Sequence, residues 1–215
     1  MDREGRGDRI RSMARGEKKN IKRDIEFLYE IGTLKNMERS WQQFMGSGCA
    51  SVLEHTHRVV FLALLIARGE KFKDEEKIIK MALVHDLSET RTGDTNYLTA
   101  VYVKRDDKKA VQDTLAGTSL ADLRTDILEE YEARKTLAAK IVKDADNLDV
   151  DIELKEMEER GSIVAKKMEP SRRLIRARKL YTKTAKSMWD EIQKADPSAW
   201  HLKANKWMKM KNAGR

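Results

Sequence analysis

The stretch MALVHDLSETRTGD, residues 81–94, restricts the fold more than any other part of the chain. An apolar run closes on His85 and Asp86, and two more acids follow at Glu89 and Asp94. Ile78, Met81, Ala82 and His85 fall at i, i+3, i+4 and i+7, which predicts a helix with His85 on its inward face. That helix then ends by carrying an imidazole and a carboxylate toward the interior. A buried carboxylate is costly unless it is paired or holds a metal. Other segments must therefore bring partners to this point.

The remainder of the sequence favours helices. Only two prolines occur, Pro170 and Pro197, so long helices can run uninterrupted. Aromatic content is 6% and β-branched runs are few, which argues against a sheet protein. An all-α fold follows, and 215 residues suit one domain with tails. A first helix is predicted from Ile21 to about Gly32, with Ile21, Ile25, Leu28 and Phe27 as inward candidates. Gly46, Ser47 and Gly48 then break the chain.

Ser51-Val-Leu-Glu54 has the form of a capping box and marks a helix start. Val52, His55, Val59, Leu62 and Ile66 step by 3, 4, 3 and 4, so His55 faces the core of a helix that stops at Gly69. His57 lies on the other side of that helix and reads as a surface residue. Asp74 caps the helix that ends at His85-Asp86. Ser88 to Tyr97 reads as a loop, with a turn at Gly93. Shorter helices are expected over about Lys104–Leu115 and Leu120–Tyr131.

Leu137 to Arg160 reads as one long helix ending at Gly161. Two of its acids lie on apolar stripes: Asp146 with Ala139, Val142 and Val150, and Asp144 with Leu137, Ile141 and Leu148. Periodicity alone leaves both open. Leu174–Ile192 is expected to be a single final helix. The basic cluster Arg172, Arg173, Arg176 and Arg178 at its start could contact a phosphate, but reads first as a solvated or oligomer-contact face.

The formal net charge of +8 suggests nucleic acid until its distribution is followed. Residues 1–23 hold nine Lys/Arg against four acids, residues 203–215 hold five and none, and the body between holds 30 against 32. The excess therefore sits in the ends. Residues 1–18 are expected to be a disordered basic tail, 19–195 the domain, and 196–215 a basic tail containing Trp200 and Trp207. Such tails would bind nucleic acid weakly at most. One cysteine, Cys49, precludes an intrachain disulfide, which fits a cytoplasmic setting. No apolar run is long enough to span a membrane.

Three predicted helices thus each direct a His or Asp inward: His55, His85 with Asp86, and Asp144 or Asp146. Two imidazoles and two carboxylates form a mixed N/O donor set. It suits Mn, Fe, Co, Ni or Zn better than Ca or Mg. Four protein donors in a six-coordinate shell leave two positions for water and a phosphate oxygen, the arrangement for metal-assisted hydrolysis.

The order His, His-Asp, Asp on separate helices resembles the HD-domain metal-dependent phosphohydrolases. His85-Asp86-x-x-Glu89 followed by Gly93-Asp94, and Glu54-His55 after a capping Ser, resemble the YfbR-like 5′-deoxynucleotidase subgroup. Ala145-Asp146-Asn147-Leu148 is similar to the family's last-ligand motif. The resemblance therefore implies His55, His85, Asp86 and Asp146 as ligands of one divalent ion in an HD-domain helical bundle. It implies Glu89 as a catalytic acid/base and Asp94 as positioning substrate and water. It also implies Arg39 and Trp41 as contacts to phosphate and sugar, although Ser40 separates two residues that are often adjacent in the subgroup.

A 5′-deoxynucleotide substrate and a homodimer are implied in the same way. A nucleoside triphosphate or alarmone substrate on the same metal site is an alternative. A non-catalytic nucleotide- or nucleic-acid-binding module is another, against which the presence of every ligand and of Glu89 counts.

Overall fold

Ser51 starts the helix that carries the first histidine. Its hydroxyl accepts from the amide of Glu54, and the Glu54 carboxylate accepts in return from the Ser51 amide. Two of the unpaired donors at a helix start are satisfied in this way. In the computed structural model, which describes residues 20–204, this helix is the second of seven longer ones. They are α1 (20–32), α2 (Val52–Gly69), α3 (Glu75–Val84), α4 (Asp107–Leu115), α5 (Leu137–Glu159), α6 (Glu169–Arg178) and α7 (Lys183–Lys194). Single turns and short helices connect them. No strand occurs among the described residues beyond an isolated bridge between Glu38 and Ser51.

The long α5 is the axis, with α2, α3 and α7 packed along it. Ile66, Ile78, Met81, Ile141 and Leu148 meet between these helices and are fully buried. Each contributes roughly 1.5–3 kcal/mol by leaving water. Gly69 ends α2 where α7 crosses it: a Cβ there would lie 2.5 Å from the Thr184 side chain. The next residue, Glu70, accepts from the Thr184 amide at 2.8 Å.

Several expectations need correction. Ile21, Ile25 and Leu28 of α1 are exposed, and Phe27 is the buried residue. The helix docks by polar contacts instead. Arg23 donates to the carbonyls of Thr114 and Ala116, Asp24 accepts from Ser119, and Glu30 pairs with Arg91. Hydrophobic periodicity cannot see such a face. The segment expected as a loop from Ser88 contains a helical turn, Glu89–Thr92. The amides of Glu89, Thr90 and Arg91 simply continue to the carbonyls of Asp86, Leu87 and Ser88.

The expected single helix over Leu174–Ile192 is two, broken at 179–182. Neither Gly nor Pro breaks it. The buried Asp144 carboxylate accepts from the amides of Tyr181 and Thr182 and from the Thr182 hydroxyl, and Thr182 caps α7. Burial of Asp144 pushes its pKa up despite those bonds. In the α6 arginine cluster Arg173 and Arg178 are exposed, as expected of a solvated face, but Arg172 is not. Arg172 is buried and grips Asp151 with both arms, while Arg173 pairs with Glu169 and Arg176 with Asp190.

The basic tail expected at 1–18 lies outside the described residues, as does Trp207. Within the expected C-terminal tail, Ala199–Ala204 is helical. No described helix is long and apolar enough to cross a membrane.

Candidate metal centre and active site

α2 delivers His55, the end of α3 delivers His85 and Asp86, and the middle of α5 delivers Asp146. His55 Nε2 lies 3.4 Å from His85 Nε2, 3.4 Å from Asp86 Oδ2 and 3.3 Å from Asp146 Oδ1. His85 Nε2 lies 3.2 Å from the same Asp86 oxygen. Donor atoms of His55, His85 and Asp86 fall within 4.8 Å of one another, so this cluster can hold a metal ion.

The outer nitrogens fit that use. His55 Nδ1 is 2.6 Å from Asp149 Oδ2, and His85 Nδ1 is 2.8 Å from the Ala82 carbonyl. Both partners accept, so the Nδ1 atoms donate and the Nε2 atoms are left for the centre. This is how protein ligands to a metal are commonly oriented. Asp144, one turn-fraction away on α5, points to Tyr181 and Thr182 instead.

The charges are consistent with a cation at this point. Burial disfavours ionised Asp86, but the His85 charge and hydrogen bonds from His55 and His85 hold its pKa well below the usual range. Asp146 is likewise held down, against burial, by Lys143 and His55. Burial and Arg39 depress the His55 pKa, yet hydrogen bonds to Asp146, Asp149 and Asp86 leave it well above its ordinary value. The carboxylates thus favour a proton on His55, and a metal ion held by these residues would take that proton's place.

Glu89 follows one turn after Asp86. It is 5% exposed, and burial together with the charges of Asp86 and Asp94 pushes its pKa to about 9. Its Oε1 is 3.4 Å from Arg105 Nη1, and its Oε2 has no hydrogen-bond partner among the described residues. Arg105 also donates to the Gly93 carbonyl at 2.7 Å, tying the turn at φ +74° that presents Asp94. Asp94 Oδ2 accepts from the Ser40 amide and lies 3.5 Å from Arg39 Nε. The field of Asp94, Asp86, Asp146 and Glu89 outweighs the burial of Arg39 and raises its pKa further. Arg39 Nε and Nη1 lack hydrogen-bond partners among the described residues.

Trp41 is placed differently. It is buried in a small apolar cluster with Cys49, Leu154, Met157 and Ala165, and its indole N–H has no partner among the described residues. Asp149, Arg105 and Lys143 were missed by sequence reasoning. Asp149 sits three residues after Asp146, a spacing that shares a helix face and could have flagged it. Arg105 and Lys143 carry no such signal.

A cavity of about 440 Å³ opens beside the centre, lined by His85, Ser88, Val111, Leu128, Lys108 and Arg124 among others. A larger one of about 810 Å³ lies behind α2 against Leu53, His57 and Phe61, and no residue of the four-member cluster lines it.

A family model described as HD domain matches residues 31–191. The chain is 33% identical over 141 residues to the 5′-deoxynucleotidase HDDC2 of Danio rerio, covering 63% of this chain and 70% of that protein. It is 33% identical over 147 residues to the 5′-deoxynucleotidase HDDC2 of Dictyostelium discoideum, covering 62% and 77%. Among solved structures, a conserved hypothetical protein from Pyrococcus furiosus superposes with a TM-score of 0.68 at 26% identity, over 80% of this chain and 99% of that one. The matched span holds His55, His85, Asp86 and Asp146 together, and the chain belongs to the HD-domain family.

Proposed function

We propose that this protein is a metal-dependent phosphohydrolase that removes the 5′-phosphate of deoxynucleoside monophosphates. The observation that carries the reading is the buried pair of imidazoles and pair of aspartates, with a proton-bearing Glu89 one helical turn from Asp86. The names of the relatives agree with it.

In this reading His55, His85, Asp86 and Asp146 hold one divalent transition ion, from the set Mn, Co, Fe, Ni or Zn. Such an ion supplies Lewis acidity toward a phosphate and lowers the pKa of water. The chain's own groups do the rest. Arg39 offers its unused N–H donors to phosphate oxygens, and a guanidinium matches that geometry well. Asp94 holds Arg39 and the Ser40 backbone in place. Glu89, protonated at neutral pH, gives its proton to the leaving 5′-oxygen. Arg105 holds the Glu89 carboxyl on the other side.

The nucleoside extends into the cavity lined by His85, Ser88, Val111 and Leu128. Trp41 stands for the sugar-side wall: its neighbour Ser40 is bonded to Asp94, and its indole N–H has no partner among the described residues. A homodimer belongs to the same reading. The exposed Ile21, Ile25, Leu28 and Tyr29 on one side of α1 give a second copy an apolar face to cover. So does a cytoplasmic setting.

The test is a screen of nucleoside mono-, di- and triphosphates with Mn and Co, following phosphate and pyrophosphate release. Orthophosphate from deoxynucleoside monophosphates is the expected product. Turnover confined to triphosphates, with pyrophosphate released, would favour the triphosphate alternative. No turnover with any metal would leave a binding module.

A further inference from the structure

Lys143, the ion-pair partner of Asp146, lines a separate cavity of about 290 Å³ with Arg134, Asn147, Ile175, Lys179 and Tyr181. Three of the six lining residues are cations and none is an acid. Lys140 adds a fourth positive charge close by, its Nζ 5.9 Å from the Tyr181 ring. Among the described residues, no carboxylate lies within ion-pair distance of Arg134, Lys140 or Lys179, whereas most other cations near this centre are paired. Gathering like charges around one concavity, with Lys143 alone among them paired to a described carboxylate, costs energy unless an anion is taken up there.

Arg134 is the C-cap of the short helix Glu129–Ala133. It sits at φ +53°, a conformation that side-chain-bearing residues seldom adopt. Its guanidinium lies over the Tyr131 ring and spends one N–H on the Tyr131 carbonyl, leaving its other donors for the cavity, and Tyr131 in turn meets the His85 ring edge at 5.8 Å. The cavity thus meets the metal centre through Lys143, which pairs with Asp146, but none of the four candidate ligands lines it.

We propose that this cavity is a second, anion-binding site that takes a phosphate or pyrophosphate group through Arg134, Lys143 and Lys179. Its volume of about 290 Å³ lies just under the roughly 300–1,000 Å³ of small-molecule sites and has room for a phosphate or pyrophosphate group. The group comes either from free phosphate or pyrophosphate, or from the outer phosphates of a nucleotide. Lys143 links the site to the metal centre, because its Nζ is shared with Asp146 Oδ2 at 2.5 Å. An anion competes with Asp146 for that ammonium. The inference does not depend on the hydrolase reading.

The test is calorimetric titration of the full chain, cleared of divalent metal, with pyrophosphate and separately with orthophosphate. Binding is expected, and Lys179→Glu should weaken it at least about tenfold, the loss of one charge-assisted contact. Lys179 is exposed and pairs with no carboxylate among the described residues, so that variant should melt like the parent. Asp146→Asn should act in the opposite direction. It releases Lys143 to the cavity and should tighten pyrophosphate binding severalfold. A group bound at the metal centre would instead be indifferent to Lys179. Absence of binding in the metal-free chain, or binding unchanged by Lys179→Glu, overturns the proposal. A deoxynucleoside triphosphate that displaces pyrophosphate identifies the nucleotide as the source of the group. Pyrophosphate binding that such a nucleotide leaves untouched identifies a free anion.

Discussion

Asp149 Oδ2 lies 2.6 Å from His55 Nδ1, and its other oxygen is 3.3 Å from Arg58 Nε. Asp149 touches no reacting atom in the proposed mechanism. It decides which nitrogen of His55 faces the centre, and Arg58 closes the carboxylate from behind. Both are positioning residues.

Asp149→Ala should therefore weaken binding of Mn or Co about 10–100-fold, the usual effect of removing such a partner. Calorimetry or metal-dependent activity would measure it. Turnover at saturating metal should recover most of the parent rate, since the ligands themselves remain. A variant with parent metal affinity would show that His55 needs no outside support.

Glu89→Gln should keep full metal occupancy while kcat falls at least about a hundredfold, because the amide cannot exchange a proton. The same variant has a stability signature. The Glu89 pKa rises from 4.5 to about 9 on folding, so the folded state favours the protonated carboxyl. That favourable contribution is complete below about pH 4.5 and is lost as pH climbs toward 9. In metal-free protein, the melting temperature of Glu89→Gln relative to the parent should thus increase between pH 5 and pH 8, by an amount equivalent to about 1 kcal/mol or more. A flat difference would mean that Glu89 is ionised in the fold.

The two stripe aspartates on α5 should separate cleanly. Asp146→Asn should lose the metal and the activity. Asp144→Asn should keep both but melt lower, because it weakens a buried acceptor of three hydrogen bonds at the start of α7. The cost is about 1–3 kcal/mol, and each kcal/mol is roughly 2–4 °C for a chain of this size. Metal loss in Asp144→Asn alone would reverse the assignment.

Trp41→Ala should have two effects. Emptying its place among Cys49, Leu154, Met157 and Ala165 should cost about 3–5 kcal/mol. Measured below the lowered melting temperature, the preference for deoxy- over ribonucleotides should narrow. An unchanged preference would remove Trp41 from the sugar contact and leave it a core residue.

The sequence by itself determined the helices that carry the centre. The Ser51 capping box, the 3-4-3-4 stripe that buries His55 and the stripe that ends at His85 are local patterns, set by residues within a few turns of one another. They needed no knowledge of the rest of the chain. The tertiary structure alone decided what lies opposite each group. Asp144 and Asp146 are both on apolar stripes of α5, and only the packing of α2 on one side and the 179–182 junction on the other tells them apart. The exposure of Ile21, Ile25 and Leu28 was decided the same way, by Arg23, Asp24 and Glu30 finding partners some 60–95 residues away. Asp149 behind His55 and Arg105 beside Glu89 likewise depend on contacts between distant segments. Helical periodicity reports which face of an element avoids water, whereas the identity of a buried polar group's partner is a property of the assembled fold.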